Sequence, residues 1–227
     1  MHTLGISFPF PPWLLRAMEL RIDVGHRSSD IERELDALYA RLTRPGDALH
    51  GLPALCIRLP GLVLRYREAD GEHYVYAEDT AKRRLAGYVV FNRLVEVNRR
   101  TDPYLRAPHA KFSAAYQRLG IATAVYRWWL DAGNCLISGA RQSPGANALW
   151  SSLARRYESF YVDLRNKQLR HLGPQPDART QQDLHTRIVL LGRGWRRERL
   201  AECTGMRMEP CVPAPASGAV KAGGYLQ

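Results

Sequence analysis

The stretch that organises this sequence reads YQRLGIATAVYRWWL from Tyr116 to Leu130. It ends a short apolar run, turns on Gly120, and continues with the apolar spacing of an amphipathic helix. At the start of a helix several backbone N–H groups have no partner within the helix, and the helix dipole favours negative charge there. The stretch therefore predicts a binding site for a phosphate or pyrophosphate group at a helix N-terminus.

Composition and charge indicate a globular protein that attracts polyanions. The 227 residues are 45% hydrophobic and 24% charged, and no apolar run approaches the ~20 residues of a membrane-spanning helix. The sum of 33 Lys and Arg against 22 Asp and Glu leaves a net charge of +11. This excess suits binding to nucleic acid, to an acidic protein surface or to cofactor phosphates. It is equally typical of a solvated surface that is rich in arginine.

The four cysteines are scattered, without a CxxC pair or nearby histidines. They are Cys56, Cys135, Cys203 and Cys211. This spacing predicts reduced thiols and no bound metal ion. The N-terminus lacks the charged start and continuous apolar segment of a signal peptide, so we expect a cytoplasmic protein with no membrane partner.

The pattern along the chain predicts an α+β fold. A capping box at Ser29 and Glu32 opens a helix that Pro45 and Gly46 end. Further helices are expected from the glycine turn to Ala132 and after the cap at Ser143. Strands are expected at 57–67, 72–78, 85–93, 111–115, 135–138, 160–164 and 186–191, with loops at 98–108 and 166–183. This order predicts a mixed, mostly antiparallel twisted sheet that is flanked by helices.

We expect three parts in the chain. Residues 1–50 form an N-terminal extension with one helix, and residues 51–192 form the core. Residues 193–227 form a basic segment and a tail rich in Pro, Ala and Gly, whose composition predicts disorder.

The order of elements around the glycine turn resembles that of the GCN5-related N-acetyltransferase superfamily. Its acetyl-CoA motif, Gln/Arg-x-x-Gly-x-Gly/Ala, lies between the fourth strand and the third helix, and residues 117–122 match it. The resemblance covers roughly residues 55–192. It implies an N-acyltransferase, most simply an N-acetyltransferase, that uses acetyl-CoA and an amine acceptor which the sequence does not identify. The residues implied to bind the cofactor are Gln117, Arg118, Leu119, Gly120, Ile121 and Ala122.

The catalytic groups that the resemblance implies are less clear. Many family members use a tyrosine to protonate the leaving thiolate, and here Trp150 stands at that position, where an indole cannot act as an acid. Tyr157, which follows the same helix, is a candidate substitute acid. The candidates for the base are His109, Glu78, Asp79 and Asp163.

A second cluster combines arginines with an aromatic residue near the end of the chain. It consists of Arg193, Trp195, Arg196, Arg197 and Arg199. Arginines can hold phosphates while the ring stacks on a base, although such a cluster is also typical of the solvated face of a short helix. Two alternatives to the acetyltransferase therefore stay open. One is a protein of the same fold that modifies nucleic acid (a DNA base or tRNA), and the other is a non-catalytic binding module.

Overall fold

Eight strands form one sheet in the computed structural model, which describes residues 28–208. The strands are β1 (Val63–Ala69), β2 (Glu72–Asp79), β3 (Arg84–Asn92), β4 (Leu105–Phe112), β5 (Cys135–Ile137), β6 (Ser159–Arg165), β7 (Gln168–Gly173) and β8 (Thr186–Leu190). The helices are α1 (Ser28–Leu42), α2 (Ile121–Asp131), α3 (Pro144–Ala154), α4 (Ala178–Gln182) and α5 (Arg197–Thr204), with a 3₁₀ turn at Ala114–Tyr116. The disorder predicted for the tail after Glu209 concerns residues outside this range.

The sheet is mixed and mostly antiparallel. Its strand order is β1-β2-β3-β4-β5-β8-β6-β7, and β4 with β5 is the parallel pair among the described strands. The predicted α+β class and the predicted type of sheet are therefore confirmed. None of the helices between residues 28 and 208 is long and apolar enough to cross a membrane.

Helices cover both faces of the sheet. On one face α2 and α3 bury Val125, Trp129 and Trp150 against strand residues such as Phe91 and Leu136. On the other face α1 packs against the first half of the sheet and α5 packs against the second half. Because side chains alternate along β4, its residues contribute to both layers. This arrangement places the start of α2 at the end of β4.

Two sequence predictions are wrong for identifiable physical reasons. The loop predicted at 98–108 ends earlier, because β4 begins at Leu105 and contains Pro108. The loop predicted at 166–183 contains β7 and α4. There Asn166 and Lys167 adopt φ of 52° and 61°, which lets β6 turn back into β7 through a two-residue hairpin.

Candidate functional site

The turn before α2 exposes a row of backbone N–H groups. Arg118 and Gly120 both adopt left-handed backbone conformations, with φ of 61° and 76°. The first hydrogen bond of the helix runs from Ala124 N to Gly120 O at 2.9 Å. Within residues 28–208, the N–H groups of residues 118–123 have no hydrogen-bond acceptor. Successive outward N–H groups of this kind form a concave anion site.

The charges around the turn also favour an anion. The first turn of α2 contains no acidic residue, and no side chain caps the helix. Arg118 is exposed on the turn itself. Lys82 lies next to the turn, because its ammonium group is 5.1 Å from the centroid of the Tyr116 ring. An anion bound at this helix terminus is stabilised by about 0.3–1 kcal/mol from the helix dipole alone.

Two side-chain hydrogen bonds fix the turn to the end of the sheet. The Tyr116 hydroxyl donates to Asp79 Oδ2 at 2.7 Å, and Gln117 Nε2 donates to Phe112 O at 3.1 Å. The Tyr116 hydroxyl and the backbone N–H of Lys82 hold the pKa of Asp79 below its usual value. Burial, followed by the bond to Asp79, raises the pKa of Tyr116. The ionised carboxylate and the neutral phenol are therefore the forms present at neutral pH. The sequence analysis missed this contact.

A gap opens beside the turn, between β4 and β5. These strands pair only at Leu105 with Cys135 and at Arg106 with Leu136. Beyond Arg106, no described strand pairs with this edge of β4, although β3 follows the opposite edge as far as Phe112. The backbone groups on this edge of β4 past Arg106 therefore have no strand partner in the described range.

Backbone alternation along β4 sets which groups point into the gap. Ser113 N donates to Ala86 O on the β3 side at 3.0 Å. Because alternate residues of an antiparallel strand bond to the same neighbour, the N–H groups of Ala110 and Phe112 point towards β5. Pro108 belongs to the same set of alternate residues, which face away from β3. Its lack of an N–H group therefore costs no hydrogen bond to β3.

The candidate bases are not gathered at one place. His109 is half-buried on the part of β4 that borders the gap, on the sheet face that α1 covers. Glu78 is buried two strands away and accepts a hydrogen bond from Arg65 Nε at 2.5 Å. Asp79 anchors Tyr116. Asp163 lies on β6 and is occupied by ion pairs with Arg165 at 2.9 Å and Arg170 at 3.4 Å.

Trp150 is buried at the position of the family's acid, and Tyr157, the candidate substitute, lies at the far end of α2 from the turn. Trp150 is 4% exposed and belongs to the core between α2, α3 and the sheet. The Tyr157 hydroxyl donates to Asp131 Oδ1 at 3.0 Å, at the last residue of α2. Since α2 has 11 residues, this end is about 16 Å from the helix start. The predicted cap is confirmed, because Ser143 accepts a hydrogen bond from Ala146 N at 3.2 Å.

The aromatic residue of the arginine cluster is engaged inside the protein. Trp195 Nε1 donates to Gly133 O at 2.7 Å, and its ring meets the Tyr104 ring edge-on at 5.7 Å. The guanidinium of Arg199 lies 4.9 Å from the centroid of the indole ring. These contacts give Trp195 a packing role, and the structure does not present it as a free stacking surface.

The arginines of this cluster divide into paired and unpaired side chains. Arg193 pairs with Asp131 at 3.2 Å, and Arg197 pairs with Glu198 at 2.8 Å. Arg196 is exposed and forms no ion pair with a described residue.

The thiols and carboxylates provide no assembled metal centre in the described range. Between residues 28 and 208, no group of three or more His, Cys, Asp or Glu side chains is placed to hold a metal ion. Burial raises the pKa of the Cys135 thiol to about 11, so this thiol is protonated at neutral pH. Cys211 lies outside the described residues.

Comparison of the chain with protein-family models, with curated proteins and with solved structures found no match.

Proposed function

We propose that this protein is an acyl-CoA-dependent N-acyltransferase that transfers an acetyl group from acetyl-CoA to an amine. The observation that carries the proposal is the row of unpartnered N–H groups at residues 118–123, next to the gap beyond Arg106. A pyrophosphate needs such a row, and an extended acyl arm needs an open strand edge beside it. We infer that the fold is that of the GCN5-related N-acetyltransferases, whose fourth and fifth strands also splay apart.

The residues present fit acetyl-CoA on chemical grounds. The turn at residues 118–123 would hold the pyrophosphate, with Arg118 and Lys82 as nearby cations. The outward N–H groups of Ala110 and Phe112 would bind the thioester carbonyl oxygen and stabilise negative charge on it. Acetyl-CoA supplies the activated acyl group when it is bound.

His109 is the candidate base that this arrangement favours. It lies on the stretch of β4 that borders the gap, whereas Glu78 lies on β2 and Asp163 lies on β6. An imidazole has the intrinsic pKa to accept a proton from an amine near neutral pH, directly or through water.

A second candidate function is a module that binds acyl-CoA without catalysis. It is favoured by the positions of Trp150, which is buried in the core, and Tyr157, which lies at the far end of α2. An indole cannot protonate a leaving thiolate, and Tyr157 lies about 16 Å from the start of α2.

Replacing Gly120 with glutamate tests cofactor binding directly. A Cβ at Gly120 meets no atom within 4 Å, so the substitution acts through charge and backbone strain and not through a collision. We expect the affinity for acetyl-CoA, measured by titration calorimetry, to fall by at least about tenfold, which is ~1.4 kcal/mol. The matched control is Gly51→Glu, since Gly51 also has a positive φ of 70° and open space around it.

The outcomes separate the proposals. If acetyl-CoA does not bind, or binds equally to the native protein and to Gly120→Glu, the proposed function is rejected. If it binds but mass spectrometry finds no acetylated product among polyamines, peptides, aminoglycosides, tRNA and duplex DNA, the non-catalytic candidate is preferred.

A further inference from the structure

A second cavity lies at the opposite end of α2 from the glycine turn. Its volume is about 440 Å³, and its walls come from the end of α2, the residues that follow α3, and the turn between β8 and α5. Its charged and hydrogen-bonding side chains include Arg127, Arg156, Arg193, Tyr157, Asp131 and Glu158. We call this cavity the arginine pocket.

Positive charge dominates the arginine pocket. Three guanidinium groups converge on it from three separate segments, against two carboxylates. Arg127 and Arg156 are exposed, and neither forms an ion pair with a carboxylate in the described part of the chain. Arg127 contacts the hydroxyl of Tyr157, so its guanidinium keeps only its remaining N–H groups for a ligand, and Arg156 has no carboxylate partner among the described residues.

Asp131 is already occupied by groups of the protein. Its Oδ1 accepts from the Tyr157 hydroxyl at 3.0 Å and from Arg193 Nη2 at 3.2 Å. Burial and the neighbouring carboxylate raise the pKa of Tyr157, so its hydroxyl stays protonated. Asp131 thus positions Arg193 at the wall of the pocket, and the two charges offset each other. Glu158 remains as the other carboxylate, against Arg127 and Arg156.

The end of α2 would repel an anion if its last carbonyl groups faced the pocket. The turn after β8 prevents this. Leu130 O accepts from Arg193 N at 2.8 Å and from Gly133 N at 3.0 Å, while Gly133 O accepts from Trp195 Nε1 at 2.7 Å. These carbonyl oxygens accept hydrogen bonds from within the protein. The guanidinium groups supply the positive charge of the pocket.

We propose that the arginine pocket binds phosphate groups of a nucleic-acid strand. Planar guanidinium groups match phosphate oxygens in pairs, and arginine is the residue best suited to this contact. The pocket is open to solvent. Exposed Arg196 follows the wall residues Arg193 and Trp195 along the chain, so a further cation lies beyond the pocket for the next phosphate of a polymer. The net charge of +11 supplies long-range attraction. The proposal assigns the contacts to Arg127, Arg156 and Arg193, and it does not depend on acetyl-CoA binding.

The test compares two double variants that remove the same charge. Arg127→Gln with Arg156→Gln changes the pocket. Arg58→Gln with Arg179→Gln removes two exposed arginines that do not line it and that form no ion pair within residues 28–208. Fluorescence anisotropy measures binding of a labelled single-stranded RNA and a labelled DNA duplex across a salt series. We expect the pocket variant to bind at least about tenfold more weakly and the salt slope to fall by roughly 1–2. The control variant should stay within about threefold of the native protein.

Several results would overturn the proposal. Equal losses in the two double variants would show that only overall charge matters, and no binding at low salt would exclude nucleic acid. Pocket-dependent binding of a mononucleotide or inorganic phosphate, without binding of either polymer, would assign the pocket to a small ligand.

Folding and acetyl-CoA binding are checked on the same variants. If circular dichroism shows that the double variant is unfolded, the two single variants replace it, with an expected loss of about threefold each. Acetyl-CoA affinity should not change, so that failure of this proposal is distinguishable from failure of the proposed function.

Discussion

At the scale of single residues, one hydrogen bond joins the turn before α2 to β2. Tyr116 is buried, and its hydroxyl reaches the Asp79 carboxylate at 2.7 Å. Because Tyr116 immediately precedes Gln117, loss of this bond releases the start of the turn. The bond also requires an ionised carboxylate, which makes its contribution dependent on pH.

Tyr116→Phe tests this dependence. The folded-state pKa of Asp79 is lowered, so the bond stabilises the protein fully above the unfolded-state pKa of about 4. Its contribution is lost as the pH falls through the folded-state value. We therefore expect the variant to melt a few degrees below the native protein at pH 7, with the difference shrinking towards ~pH 3. The difference in Tm is measured by circular dichroism during thermal unfolding at each pH.

The control for this prediction is Tyr161→Phe. Tyr161 is half-buried on β6, and its hydroxyl forms no hydrogen bond within residues 28–208. This variant should show no difference that varies with pH. A Tm difference for Tyr116→Phe that stays constant from pH 3 to 7 would contradict the role given to Asp79.

At this scale the sequence allowed a helix cap to be predicted from its neighbouring residues. It did not allow contacts between residues far apart in the chain to be predicted. Ser143 was predicted as a helix cap because Pro144 follows it, and its side chain does cap α3. The contact between Asp79 and Tyr116 joins positions far apart in the sequence and leaves no periodic signal. For the same reason the sequence did not show whether Trp150 lies in the core or at a binding site. The packing of α3 shows that it is buried.

At the scale of elements, β3 and β4 approach each other closely at the end of β4. Gly87 lies opposite Phe112 at the end of β4. A Cβ at Gly87 would collide with the Phe112 ring and with the carbonyl oxygen of Lys111. Only a residue without a side chain allows β4 to end where the turn begins.

Gly87→Ala should therefore destabilise the fold and weaken acetyl-CoA binding together. We expect a loss of about 1–3 kcal/mol in the free energy of unfolding, since the strand must move. Urea unfolding and calorimetry measure the two effects. Gly145→Ala is the matched control, because its Cβ would lie in open space on α3, and it should be neutral or stabilising by up to ~1 kcal/mol. Equal stability for the two variants would contradict the importance of this close approach.

The elements themselves were predictable where the pattern was strong and continuous. The strands near residues 72–78, 85–93 and 186–191 agree closely with β2, β3 and β8. The strands predicted at 135–138 and 160–164 agree with β5 and β6 as well. Two strands were not predicted correctly: Pro108 suggested a loop inside β4, and the polar sequence of β7 gave no strand signal. The first residues of β7 alternate between exposed Gln168, buried Leu169 and exposed Arg170, so one face of this strand needs no apolar side chains.

At the scale of the whole molecule, the helical layers on the two sheet faces share the same strands. Leu35 of α1 is 1% exposed and packs with Tyr88 and Val90, while alternate residues of β3 pack against α2. An ion pair of 2.8 Å between Lys111 and Glu34 links α1 to β4. We infer that both layers unfold in one transition.

Leu35→Ala tests this coupling. Removing the buried side chain should cost about 2–5 kcal/mol. Trp128, Trp129 and Trp150 lie on the opposite face, so their fluorescence reports on the layer that was not changed. We expect the fluorescence and circular dichroism midpoints in urea to fall together. A fluorescence midpoint that remains at the native value would show that the layers unfold separately.

The class of fold was predictable at this scale, whereas the surface sites were not. Alternation between strand and helix patterns is sufficient to predict an α+β sheet, and the structure confirms that class. The arginine pocket brings together residues from three segments that only the folded chain makes neighbours. The sequence drew attention to Arg193 through its neighbours in the chain and gave no reason to join it with Arg127 and Arg156.

Pro108 has one further consequence, which concerns aggregation. An unpaired strand edge is a template to which a strand from another molecule can add, and the open edge of β4 beyond Arg106 is such an edge. An added strand needs a regular series of donors, and Pro108 removes one of them at the point where the edge becomes free. A short ligand arm can still use Ala110 and Phe112, whereas a continuous β-ladder from a second molecule cannot form across the proline. Pro108, which led the sequence analysis to predict a loop at the start of β4, thus protects the open edge of this strand against strand addition.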